Sequence, residues 1–214
     1  VFSSIKLESH CHRIPAKAFN IIGKKGIKNN SSRIVITAHI DAKKDTPGAI
    51  DNATGVIILL LLADLLRDYN GDKNLELVAL NGEDYYAVPG QMDYINKNFG
   101  KFDNILLNIN IDGAGYLEGD SAVSLFDVPQ IIEDRIREMF IRFPSLVEGT
   151  QWPQGDHSIF IQQGCPAVAV SSHWFINHMD TQDITHTPKD DPKIVDCQKL
   201  VEIAEGLNWL VRNI

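Results

Sequence analysis

Five short polar clusters hold the residue types from which chemistry can be built: His39-Ile40-Asp41, Asp51-Asn52, Glu83-Asp84, Asp112-Gly113 and His186. Imidazole nitrogens and carboxylate oxygens without thiolates are the donor set of Zn²⁺ or a similar borderline divalent ion. Two such ions, ~3.5–4 Å apart, can share a bridging carboxylate and a bridging water. A glutamate that is not itself a ligand then accepts the water's proton. Each residue also has a plainer reading. Asp51, Asn52 or Thr54 can serve as a helix N-cap, Glu83-Asp84 as a solvated loop pair, and His173 or His178 can stand where His186 is invoked. Asp156-His157 in the segment GDHSIF reads equally as a helix start and as a contributor to the substrate side of a site.

Elements able to position these residues are visible around them. Apolar, β-rich runs at 18–23, 33–38, 75–80, 105–111 and 167–171 read as strands, and their continuous apolar content predicts cover on both faces. The first four clusters begin where these runs stop or in the segment just after one. In open α/β sheets, sites form beyond the carboxyl ends of strands. The run 56–63, continued by Leu65 and Leu66, predicts a buried helix over 54–69 closed by Gly71. Further helices are predicted at 90–98, 129–143, 157–163 and 192–211, the last with Asp191 as N-cap and Pro192 at its first position. Strands alternating with helices imply an α/β fold of three layers, with a mixed, largely parallel central sheet.

Composition excludes other classes. The chain has 214 residues, 44% hydrophobic and 22% charged, as expected for one globular domain rather than a disordered chain. Its net charge of −8 argues against nucleic-acid binding, which needs a basic face. No apolar run approaches the ~20 residues of a membrane span. No GxGxxG or GxxxxGK[ST] follows a strand, which argues against a nucleotide site. Cys11, Cys165 and Cys197 form no CxxC pair, and His10 and His12 around Cys11 read as two residues on one strand face. Trp152, Trp174 and Phe175 are candidates for a pocket wall or for packing.

The ordered set HID, nine residues, DNATG, then GED, NIDGAG, GDHSIF and THTPKDD resembles the co-catalytic zinc aminopeptidases of the bacterial leucyl aminopeptidase type. Animal glutaminyl cyclases belong to the same wider group. The resemblance runs from His39 to Asp190. It implies a zinc exopeptidase-like fold and two Zn²⁺ per chain, with Co²⁺ or Mn²⁺ as substitutes. His39 and Asp112 would hold one ion, His186 and Asp84 the other, and Asp51 would bridge them. Glu83 would be the general base, and Asp41 would fix the His39 imidazole from behind. The implied activity is hydrolysis of the N-terminal residue of short peptides by a water between the zinc ions. A one-zinc cyclase and a non-catalytic binding domain are the alternatives. The family usually shows two consecutive Glu where this chain has Glu83-Asp84; the shorter Asp keeps the carboxylate. Beside the family, the chain, which begins at Val1 without Met, reads as a trimmed catalytic domain lacking an N-terminal segment. The unpaired cysteines favour the cytoplasm, although many relatives are exported.

Overall fold

The computed structural model describes residues 4–12, 17–26, 32–85 and 89–214. Residues 1–3, where the chain reads as trimmed, lie outside them. The strands β1 (Ile21–Lys25), β2 (Arg33–His39), β3 (Asn74–Leu80), β4 (Ile105–Ile111), β5 (Ser121–Phe126), β6 (Leu146–Glu148) and β7 (Ala167–Ser172) form one seven-stranded sheet. Their spatial order is β1-β3-β2-β4-β7-β5-β6. The pairs β2–β3, β2–β4, β4–β7 and β5–β6 are parallel, and β1–β3 and β5–β7 antiparallel, so the sheet is mixed and largely parallel.

Helices α1 (Thr54–Leu65), α2 (Pro89–Asn98), α3 (Gln130–Arg142), α4 (His157–Ile161), α5 (His173–Asn177) and α6 (Cys197–Asn213) connect the strands. The alternation of β-strand side chains divides the core in two. On one face Ile34, Ile36, Leu107 and Ile109 pack against α1, α3 and α6. On the other, Val35, Val78 and Leu80 pack against Tyr94 of α2 and Phe160 of α4. Truncating a fully buried residue such as Ile58 or Leu62 would cost ~2–5 kcal/mol, through lost transfer energy and the cavity left behind.

Several elements differ from the sequence reading. The first strand begins three residues later than the run 18–23, and every residue of β1 is exposed. Apolar content predicts burial only where a neighbour covers it, and β1 lies at the sheet edge. Helix α1 ends at Leu65, well before Gly71, and Ile57 and Leu60 are exposed on its outer side. The single helix expected over 192–211 is two elements. Asp191 caps only a short turn, Pro192–Ile194, by accepting from the Lys193 N–H. Asp196 then caps α6 by accepting from the Gln198 N–H. Strands β5 and β6 and helix α5 were not anticipated. His10 and His12 are exposed and lie outside any strand. The three cysteines are free.

The topology decides where a site can form. The chain runs from β2 through α1 to β3, then crosses back through α2 to β4 on the other side of β2. Such a reversal opens a crevice beyond the carboxyl ends of the strands concerned.

Candidate metal centre

His39 is the last residue of β2, and its side chain is almost fully buried. Its Nδ1 lies 3.0 Å from the main-chain oxygen of Asp41. A carbonyl only accepts, so Nδ1 carries the proton and the neutral ring offers a lone pair at Nε2. That Nε2 stands 3.0 Å from Asp51 Oδ1 and 3.3 Å from Asp112 Oδ1. The Asp41 carboxylate stands farther off, its Oδ1 3.8 Å from His39 Nδ1, and that oxygen accepts from the N–H groups of Gly82 (2.6 Å) and Glu83 (3.3 Å). Asp41 therefore holds the His39 ring through its main chain and the Glu83 loop through its side chain.

Asp51 sits in the turn Ala49–Ala53, between β2 and α1, and a cis peptide bond follows it. Asp190 anchors this turn by accepting from the N–H groups of Ile50 (2.6 Å) and Asp51 (3.1 Å). Asn52 ties it to β4 by donating to the Ile111 carbonyl. Across the cleft His186 adopts a left-handed backbone conformation, φ 62°, that aims its ring inward. Its Nε2 lies 3.0 Å from Asp51 Oδ2 and 2.9 Å from Asp84 Oδ1. His173 and His178 do not join this cluster. His173 lies beside Asn177, and the ring of His178 stacks on Trp174.

Charge shows what the cluster lacks. Asp84 is buried, and among the described residues neither of its oxygens receives a hydrogen bond; His186 Nε2 comes close without that alignment. Burial disfavours charge on His39, but Asp112 and Asp51 outweigh it and raise its pKa well above 6.5. The close approach of Asp51 and Asp84 carries His186 to about 10. Burial alone would raise the pKa of Asp51, but the two histidines pull it well below the usual carboxylate range. Burial, reinforced by Asp112, pushes Glu83 up to about 8. The chain by itself thus balances the cluster only by protonating its histidines, and a divalent cation fits the same need. His39, Asp51 and Asp84 each offer a ligand atom within 4.8 Å of the others.

The cluster opens into a cleft of about 470 Å³ lined by Asp51, Glu83, Asp84, Asp112 and His186. Trp152, Phe175 and Met179 also line it, whereas Trp174 packs on Tyr116. Asp156 and His157 lie behind the wall with no exposed surface. Asp156 occupies the N-cap position of α4, yet its side chain makes no capping bond. It accepts instead from Gln91 Nε2 at 2.6 Å. Burial lifts its pKa to about 6. His157 Nε2 meets the Trp152 carbonyl, and burial lowers its pKa. Gln91, a second wall residue, was missed because a lone amide in a helix carries no sequence signal.

Known proteins are similar to this chain in sequence and fold. Aminopeptidase YwaD of Bacillus subtilis is 24% identical over 197 residues, covering 87% of this chain and 42% of its own. The structure of BSAP, a zinc aminopeptidase from Bacillus subtilis, superposes with a TM-score of 0.76 at 23% identity, over 90% of this chain and 49% of that one. An aminopeptidase from Aneurinibacillus sp. strain AM-1 gives 0.75 at 22%, over 90% and 47%. These two structures establish the likeness of fold, and the chain spans about half the length of the relatives it matches. The sequence model of peptidase family M28 matches residues 20–210, nearly all of this chain, which therefore belongs to that family.

Proposed function

We propose that this chain is the catalytic part of a zinc-dependent aminopeptidase with two metal positions. One observation carries the reading: Asp51 presents one oxygen to His39 and the other to His186, each at 3.0 Å. A carboxylate set between two imidazoles, with a further acid beside each, is the donor set of a bridged pair of cations. His39 and Asp112 would hold one zinc and His186 and Asp84 the other, with Asp51 shared. Bound zinc would lower the pKa of a water and polarise the scissile carbonyl.

The remaining work falls to side chains. Glu83 lines the cleft beside Asp84, and its loop is tied down by Asp41 Oδ1. Its carboxylate takes the proton of the attacking water and passes it to the departing amine. Asp41, through its main-chain oxygen, holds the His39 ring with Nε2 turned to the site. The acids also supply negative charge that favours the free α-ammonium of a peptide. Trp152, Phe175 and Met179 form an apolar wall suited to a hydrophobic N-terminal side chain.

The test is hydrolysis of leucyl p-nitroanilide by the zinc-loaded chain, then after chelation, then with zinc or cobalt restored. The proposal expects activity that is lost and regained. Metal uptake without hydrolysis would sink it in favour of a binding domain.

A further inference from the structure

Asp156 is fully buried, and its Oδ2 has no hydrogen-bond partner among the described residues. Its Oδ1 accepts from Gln91 Nε2 at 2.6 Å. That oxygen is an acceptor whether or not the other is protonated. A free glutamine amide can present either end to its surroundings. Here the NH₂ is committed to Asp156, so the carbonyl oxygen Oε1 is the end left for the cleft. Gln91 lines that cleft from the first turn of α2, one turn before Ile95. Ser158, Ile159 and Gln162 of α4 and its end face the same space.

The lining of the cleft is of two kinds. The wall of Trp152, Phe175 and Met179 is aromatic and apolar. The part supplied by α2 and α4 mixes apolar side chains with the amides of Gln91 and Gln162. A peptide substrate is unlike at its two ends in the same sense: one N-terminal side chain, then a chain of amides. We propose that Gln91 is a specificity-determining residue whose amide oxygen accepts an N–H of the peptide beyond the scissile bond. In this role Asp156 is the positioning residue that fixes which way the Gln91 amide faces. The inference rests on the aminopeptidase reading and adds to it a preference for peptides over simple aminoacyl amides.

The experiment compares leucyl-glycyl-glycine, which has a peptide N–H beyond the scissile bond, with leucyl p-nitroanilide, which has none. Zinc-loaded wild type, Gln91→Leu, Asp156→Asn and the double variant are assayed. Gln91→Leu should raise KM for the tripeptide about tenfold more than for the anilide, with the ratio of kcat values held within about twofold. Asp156→Asn keeps the shape but offers both a donor and an acceptor, so it should shift the same KM ratio by a smaller factor. It should add nothing in the Gln91→Leu background, because its effect passes through Gln91. A merely structural role for Asp156 would hit both substrates alike and would add in the double variant. Equal effects on both substrates, or none on either, would overturn the inference and leave the aminopeptidase reading standing. A wild type inactive on both substrates would overturn the two together.

Discussion

Two buried carboxylates stand at opposite ends of β3, and their surroundings differ in kind. Glu76, within the strand, is 4% exposed and Asp84, just past its end, 2%. Arg33 meets Glu76 at 2.9 Å, and Lys24 approaches at 3.6 Å. Among the described residues Asp84 receives no hydrogen bond, and near it stand Asp51, His39 and His186. Burying a charge costs several kcal/mol unless it is paired. At Glu76 the chain supplies the counter-charge and the residue belongs to the architecture. Around Asp84 it supplies an excess of acids instead. A buried acid faced by a titratable histidine rather than by a fixed cation marks a place completed from outside, and this contrast, more than the presence of acids, locates the site.

The largest effect that would sharpen the contrast is catalytic. Glu83→Gln should leave zinc uptake intact and cut kcat by about 10²–10⁴, the usual worth of a general base. Near-normal turnover would remove Glu83 from the mechanism.

Two substitutions set the carboxylates against each other. Arg33→Met leaves Glu76 with one exposed lysine and should cost about 3 kcal/mol in chemical denaturation, with zinc or without. Asp84→Asn should cost only about 1 kcal/mol in the metal-free chain, where the carboxylate faces a half-exposed His186. It should instead weaken zinc: a roughly 100-fold fall in affinity removes about 2.7 kcal/mol of zinc-induced stabilisation. If both variants lost stability equally with and without zinc, the contrast would collapse.

Asp190→Ala acts one step back, by freeing the N–H groups of Ile50 and Asp51. A drop of about 1–2 kcal/mol in stability is expected, with zinc affinity falling about 10–100-fold. Isothermal titration and thermal melts separate the two effects.

The mildest effect is on pH. In the metal-free chain His186 and Glu83 hold protons more tightly folded than unfolded, with pKa values of about 10 and about 8 against 6.5 and 4.5. Their contribution is complete below the unfolded values and is lost as pH rises through the folded ones. The metal-free melting temperature should therefore fall between about pH 6 and 9, where the zinc-loaded chain, its histidines already deprotonated, changes less. A gap between the two forms that narrows with rising pH would show the opposite linkage.

What the sequence could reveal followed from physical contrast along the chain. Apolar strands ending abruptly in His39, Glu83 or Asp112 were legible because burial and charge change within one or two residues. Strand β5, SAVSLF, was not, because its serines, buried in the fold, dilute the apolar signal. Asp191 and Asp196 both satisfy the capping rule five residues apart, and only packing decides that the long helix follows the second. The exposure of β1 depends on what lies beyond it, which its own residues do not encode. The Gln91–Asp156 contact joins residues 65 apart, and Asp156 resembled a cap in every local respect.

The claim that the unpaired acids are completed by metal is tested most directly by counting zinc. Metal-stripped protein, titrated with zinc near neutral pH and assayed for bound metal, should take up about two ions per chain, and Asp51→Asn should lose at least one of them. A wild-type chain that binds no zinc, or an Asp51→Asn variant that binds it as fully as wild type, would contradict the account.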